Sequence, residues 1–522
     1  MSVSSDKPTV FFEDFQSNDG NEKASYSGQV DLARSSGLSI NDALFYANFT
    51  SEQRNRLLRK IDIRLIPMLA ILYLIAHLDK ANIGNAKIEG MSAGLGLAGN
   101  QFNVVLAIFF IPYVLLDVPS NILLKRFSRP SMYMGSLVLG WGVCMALHGV
   151  CRNFGSILAL RFMLGVFEAG FFPGAAYICT IWYMPDKLAS RISWFYCMSA
   201  FSGAFSGLLA AAIAELDGLG GYEGWRWIFI IEGSMTVLMS LTCFFFLLDT
   251  PAHAWKWLTA DEVRFMELQL RMKQANGSCG TIIDTRSTWQ VLKPLLLNWK
   301  LYMQASAGLA ISASSYGLKF SLPSIIKNMG FQHTAAQLMT APVFICGVIA
   351  GLIAAFLSDR YKWRMPFVVA SLTVITVGYS IIMSLKGNFD GNRMGTGYFA
   401  LMLCAMGTYS TYPLSSTWVA NNLATDKQRA YGVAFTTSIG ALGGIVGSFM
   451  FLEPEKPKYY TGYSLAIGLH VSAIAIILAL EYVYVRENAK RSLISEEEIR
   501  AKYTNEELLI MDDKNPLFRY TL

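Results

Sequence analysis

Polar punctuation divides this chain into apolar runs of membrane-crossing length. Such runs recur near 65–86, 100–124, 131–151, 155–181, 190–214 and 226–248; after a polar stretch six more follow, near 300–326, 334–357, 365–386, 397–419, 430–452 and 462–485. Each is long enough for the helix of about 20 residues that spans a hydrocarbon core of about 30 Å. The pattern predicts an all-α membrane protein with twelve transmembrane helices in two six-helix bundles, residues 61–248 and 299–486. A cytoplasmic linker, 249–298, joins them, and cytoplasmic tails occupy 1–60 and 487–522. Six plus six is the arrangement of many secondary transporters.

Residue-level repetition supports duplication of a six-helix unit. Asp186-Lys187 recurs as Asp426-Lys427, Gly203 as Gly443 and Gly207 as Gly447, all at one offset. The basic loop KRFSRP (125–130) after the second span has a counterpart, SDRYKWRMP (358–366), after the eighth. Arg54, Arg56, Arg59, Lys60 and Arg64 crowd the start of the first span, and Lys256, Arg264, Arg271 and Lys273 lie in the linker. The positive-inside rule then places both regions, and with an even span count both tails, in the cytoplasm of a multi-pass plasma-membrane protein. Within the linker, Thr259 and Glu262 have capping-box spacing ahead of an amphipathic helix. The sequon Asn276-Gly277-Ser278 is cytoplasmic in this orientation and therefore unglycosylated.

Composition narrows the function classes. The chain is 53% hydrophobic and 15% charged, which excludes a soluble multidomain enzyme. A net charge of +6, dispersed and without an aromatic-interleaved basic patch, argues against nucleic acid. Cys144, Cys179, Cys197, Cys243, Cys346 and Cys404 fall inside apolar runs without CxxC spacing and read as small core residues. No cleavable secretory signal is expected at the polar start. Phosphate-binding Gly-rich loops, a nucleophile elbow and metal-ligand spacing are all missing, so neither an enzyme nor an ATP-driven pump is indicated. A proton gradient, with no cofactor, is the expected energy source, and a monomer the expected unit.

Charges within the spans locate the candidate chemistry. The first span, LYLIAHLDKANIGNA (72–86), places Asp79 beside Lys80, although each charge at a bilayer centre costs roughly 2.5–3.5 kcal/mol. In the fourth, LALRFMLGVFEAGFFPG (158–174), Arg161, Gly165 and Glu168 share one helical stripe. Arg161 and Glu168 are roughly 10 Å apart along the axis, too far for one tight contact, and Gly165 lets a neighbour approach. Counting rise per residue puts Lys80 roughly 24 Å from the inner face and Arg161 roughly 9 Å below the outer one, nearly the same level. Asp79, Lys80 and Arg161 are thus expected to share a chamber, with Glu168 deeper. Two cations would attract a carboxylate, Arg161 as a bidentate fork and Lys80 as a point charge. Asp79 and Glu168 would carry protons, and occupancy of the cations would govern which acid is protonated.

Other residues are weaker candidates. His77 reads equally as a titrating group or a hydrogen-bonded core histidine. Tyr113 shares a face of the second span with Asp117, which is read as bracing the following loop. Ser415 and Trp418, three residues apart, could hydrogen-bond and stack on a flat substrate, or Trp418 could be an interfacial tryptophan. Lys319 is read as snorkelling to the outer surface.

These residues, with LDKANIGNAK (78–87), VPSNILLKRF (118–127), RFMLGVFEAGFFPG (161–174), GYEGWRWIFIIEG (221–233) and SDRYKWR (358–364), carry a family likeness over roughly residues 60–490. The chain resembles the major facilitator superfamily, within it the anion:cation symporters and the fungal allantoate permease group, and looks most like nicotinate permeases. The resemblance implies proton-coupled import of a small organic anion, possible substrates being nicotinate and related pyridine carboxylates. It also implies coupling and anion roles for Asp79, Lys80, Arg161 and Glu168, a substrate role for Tyr113, and a gating pair at Asp359 and Arg360. Lysine at 80 and histidine at 77 depart from the bacterial relatives' arginine and tyrosine, and KRFSRP lacks the acid of its gating counterpart. A nutrient-sensing receptor on the same fold and a proton-coupled exporter are the alternative readings.

Overall fold

A computed structural model describes residues 39–124, 126–196, 198–254, 257–276, 286, 288–361 and 363–522. Lys125, Cys197, Lys256, Gly277, Ser278 and Lys362, named above, lie outside the described residues. All secondary structure among the described residues is helical.

Every apolar run coincides with helix. The first six fall on Ser51–Ile88, on Gln101–Ile108 with Phe110–Leu124, on Pro130–His148, on Phe154–Glu168 with Phe171–Trp182, on Pro185–Tyr196 with Met198–Ala214, and on Gly224–Phe246. The second six fall on Trp299–Asn328, on His333–Leu338 with Thr340–Tyr361, and on Met365–Ser384, Asn392–Asn421, Asp426–Ser448 and Tyr460–Arg491. Among the described residues nine spans are long and apolar enough to cross a membrane by length and composition alone. The fifth, seventh and tenth fall short of that measure. The fifth falls short in length among the described residues, its apolar part being Phe201–Ala214; the seventh and tenth carry Ser312, Ser315, Lys319 and Thr408 into a central cavity, and each polar residue on a cavity face lowers the helix's mean hydropathy.

The chain divides into two compact units. One combines the described residues among 1–60 with those among 251–279. In it Ser39 caps Ile40–Asn48, whose Tyr46 and the following Phe49 stack on Phe265 of Ala260–Asn276, at 4.8 and 4.2 Å between ring centroids. Asp42 pairs with Arg264 at 2.8 Å and Lys60 with Glu262 at 2.6 Å. Thr259 and Glu262 form the expected capping box, the Thr259 amide donating to Glu262 Oε2 and the Glu262 amide to Thr259 Oγ1.

The other unit, residues 61–250 and 280–522, holds both helix bundles. At the end carrying residues 85–103 polar groups link the bundles. Lys87 pairs with Glu453 at 2.8 Å, Gln337 donates to Glu89 at 2.8 Å, Lys327 to the Ile88 carbonyl at 2.9 Å, and Asn103 to the Ser448 carbonyl at 2.6 Å. These contacts hold the two bundles together at that end. At the opposite end the segment 511–522 is fastened beneath the second bundle. The Asn422 and Asn488 amides each make a reciprocal pair of hydrogen bonds with the backbone of one residue, Thr521 and Tyr520 respectively. Tyr520 stacks on Tyr484 at 4.4 Å, and the Arg364 amide donates to the Leu522 carbonyl.

Candidate functional site

Between the bundles lies a cavity of about 150 Å³. One wall comes from the first span, where Tyr73, His77 and Lys80 recur at spacings of four and three and so face the same way. Glu168 enters where the fourth span breaks, between Phe154–Glu168 and Phe171–Trp182. Its Oε1 sits 2.6 Å from Lys80 Nζ, both side chains being buried. The Lys80 ammonium also lies over the Tyr113 ring, 4.7 Å from its centroid. Gly165, one turn before Glu168, provides the close approach that makes this possible: a Cβ there would lie 2.8 Å from Pro112 Cγ and overlap the Phe109 carbonyl oxygen.

The facing wall belongs to the seventh and tenth spans, with Ser312, Tyr316, Lys319, Thr408 and Tyr412. Lys319 Nζ reaches across to His77 Nδ1 at 3.1 Å. Tyr73 holds the imidazole edge-on, with ring centroids 4.6 Å apart. The cavity therefore presents two lysines against one carboxylate; among the described residues no other acid lines it. Aromatic rings from both bundles complete the walls. Such a chamber is below the roughly 300–1,000 Å³ of pockets for drug-sized ligands, so it suits a small solute.

Of the residues singled out in the sequence, His77, Lys80, Tyr113 and Glu168 meet here. Four others do not. Asp79 points into the first bundle, where its Oδ2 accepts from Trp141 Nε1 at 2.6 Å and Thr236 Oγ1 at 3.1 Å. The shared chamber expected for Asp79 and Lys80 fails because adjacent helical residues project about 100° apart. Arg161 is buried outside the cavity lining, with its Nε and Nη2 unpartnered. Trp418 donates instead to the Thr521 carbonyl at 3.0 Å and meets Tyr484 edge-on, so it belongs to the fastening of segment 511–522, and Ser415 likewise lies away from the cavity. In the last turn of the eighth span Asp359 pairs with Arg364 of the following loop at 2.5 Å, while Arg360 is exposed beside it. Asp117, expected to brace a loop, faces Ser438 of the eleventh span at 3.5 Å.

Lys319 is the residue that the sequence reading missed. Its buried position, 8% exposed, rules out snorkelling. A signal was present: the offset that carries Gly203 onto Gly443 carries Asp79 onto Lys319, so the charged position of the first span repeats in the seventh.

Comparison with known proteins agrees with this architecture. The chain is 33% identical over 482 residues to the MFS-type transporter cnsO of Penicillium expansum, covering 91% of this chain and 92% of that one. An uncharacterized transporter of Schizosaccharomyces pombe is 32% identical over 91% of this chain and 92% of its own. The major facilitator-type transporter hxnP of Emericella nidulans is 28% identical over 90% of this chain and 94% of its own. Among solved structures, a D-xylose-proton symporter superposes with a TM-score of 0.60 at 13% identity, covering 80% of this chain and 96% of that one. A bacterial homologue of the lysosomal transporter Spinster, inward-facing and unoccupied, also gives 0.60, at 16% identity over 79% and 93%. With the family profile matching residues 69–448, the chain belongs to the Major Facilitator Superfamily and is a multi-pass secondary transporter rather than an enzyme.

Proposed function

We propose that this transporter imports a small organic anion together with protons, nicotinate or a related pyridine carboxylate being the favoured cargo. The observation that carries this reading is the charge balance of the cavity, Lys80 and Lys319 against Glu168, within walls of tyrosine and phenylalanine. A buried excess cation is costly until an anion arrives, and aromatic faces accept a flat ring. Lys80 and Glu168 satisfy one another. A proton delivered to Glu168 would release Lys80, so proton and anion favour each other's binding. In this reading both tails are cytoplasmic, the membrane is the plasma membrane and the protein acts as a monomer.

Uptake of radiolabelled nicotinate in cells lacking their own carrier, with unlabelled carboxylates as competitors, tests it. Uptake should saturate, rise at acidic outside pH and collapse with an uncoupler. Glu168→Gln should retain exchange of internal for external substrate while losing proton-driven accumulation. A surface-localised protein that takes up no carboxylate refutes the anion reading, and accumulation by Glu168→Gln equal to wild type refutes the role given to Glu168.

A further inference from the structure

We infer that Lys319 is the group that grips the carboxylate of the cargo, and that the anion takes the place beside it that His77 occupies in this structure. The inference rests on the cavity being an anion site and adds which cation binds and from which bundle.

Lys80 is already satisfied. Its ammonium has a carboxylate at 2.6 Å and rings of Tyr113 and Phe109 beneath it at 4.7 and 5.6 Å. An incoming carboxylate would exchange one such partner for another of the same kind, with little gain. Lys319 differs. Among the described residues no carboxylate lies within 4 Å of its ammonium, whose partner is His77 Nδ1 at 3.1 Å. To accept from an ammonium that nitrogen must offer its lone pair, so the imidazole is neutral on that side. The bond to His77 has charge on the lysine side alone, whereas a carboxylate adds the opposite charge and its Coulomb attraction in a low-dielectric chamber, so a carboxylate outcompetes His77 for Lys319. Three donors on the ammonium let it take both carboxylate oxygens in turn without reorienting the helix.

The location gives the exchange a consequence. His77 sits on the first span and Lys319 on the seventh, so their contact crosses between the bundles. Bound cargo replaces that direct bridge with one through itself: carboxylate on Lys319, apolar body against Tyr73, Tyr113 and Phe172 of the first bundle. The chemical class follows as a small monocarboxylate with a planar apolar body, and a neutral amide of the same shape is rejected because it leaves the lysine without a counter-ion.

Nicotinate and nicotinamide form the probe pair. Uptake KM for each is measured on full-length wild type, Lys319→Gln, Lys319→Arg and His77→Ala, normalised to protein at the cell surface. Wild type should favour the acid. Lys319→Gln should raise KM for the acid about tenfold or more and erase the preference over the amide, a change that a merely structural lysine would not produce. Lys319→Arg keeps the charge and should keep the preference, which also holds the inference open to test if the glutamine variant fails to reach the membrane. His77→Ala frees Lys319 and should lower KM for the acid. An acid-over-amide preference surviving in Lys319→Gln, or lost in Lys319→Arg, overturns the inference, as does a raised acid KM in His77→Ala. Wild type that takes up neither probe nor any other carboxylate overturns the anion reading itself, a result distinct from all of these.

Discussion

Replacing Gly165 by alanine tests whether the second and fourth spans are held together as closely as the site requires. The added Cβ would sit 2.8 Å from Pro112 Cγ, where ordinary contact begins at 3.4 Å, and would overlap the Phe109 carbonyl oxygen more severely. The neighbour is backbone and a proline ring, neither of which can rotate away, so the helices must separate by at least the 0.6 Å difference. Two effects oppose one another. Alanine in a helix gains about 1 kcal/mol over glycine, while overpacking of this kind costs about 1–3 kcal/mol. Contact with rigid backbone belongs at the upper end, giving a net loss of about 2 kcal/mol. Gly468 is the control: a Cβ there meets nothing within 4 Å, so Gly468→Ala should be neutral or stabilised. Function should follow stability, because Tyr113 lies one turn from Phe109 on the helix that moves and its ring lies beneath the Lys80 ammonium. Thermal unfolding of both variants in detergent, with uptake in cells, gives the comparison. If Gly165→Ala unfolds at the temperature of Gly468→Ala and transports as wild type, the packing argument is wrong.

Trp418→Phe should leave KM for every cargo unchanged while removing the bond to Thr521, worth about 1 kcal/mol, and exposing segment 511–522 to protease; a tenfold rise in KM would return Trp418 to the site. The hydrogen bonds from Arg264 and then Ser39 hold the Asp42 carboxyl below its usual range. A depressed value in the folded state means stabilisation that is full above the unfolded value of about 3.9 and lost as pH falls through the folded one. Amide protection of Ile40–Asn48 should therefore be flat from about pH 5 to 8, and because the pair is exposed Asp42→Asn should lower protection by no more than about fivefold. A steep pH dependence near neutrality would point to another titrating group.

What the sequence disclosed and what it concealed divide along one physical line. Membrane crossing constrains each helix separately, because every backbone group in a span must be satisfied within it; the twelve apolar runs were therefore legible one at a time. Intramembrane charge is equally local, and it led to Lys80 and Glu168. Direction around the helix axis was also available, since Asp79 and Lys80 project about 100° apart and only one could face the chamber. Partnership was not. Trp418 is claimed by Thr521, far along the chain, and nothing in the residues around the tryptophan announces that contact. Lys319 lies between these cases. Judged by its own span, a lysine nine residues short of Asn328 looks able to snorkel, yet Lys80 stands eight residues short of Ile88 in the first span and was assigned to the chamber, roughly 24 Å from the inner face, by the same rise per residue. The two lysines are within one residue, about 1.5 Å of rise, of the same distance from corresponding helix ends, and Asp79, the repeat counterpart of Lys319, matches it. Duplication of the six-helix unit turns that correspondence into a statement about depth, because repeats related by an axis along the membrane normal place equivalent residues at the same level. A charge that is functional in one repeat then makes an isolated charge at the matching level of the other a candidate for the same chamber, and the contact between Lys319 and His77 shows the two repeats meeting at that level.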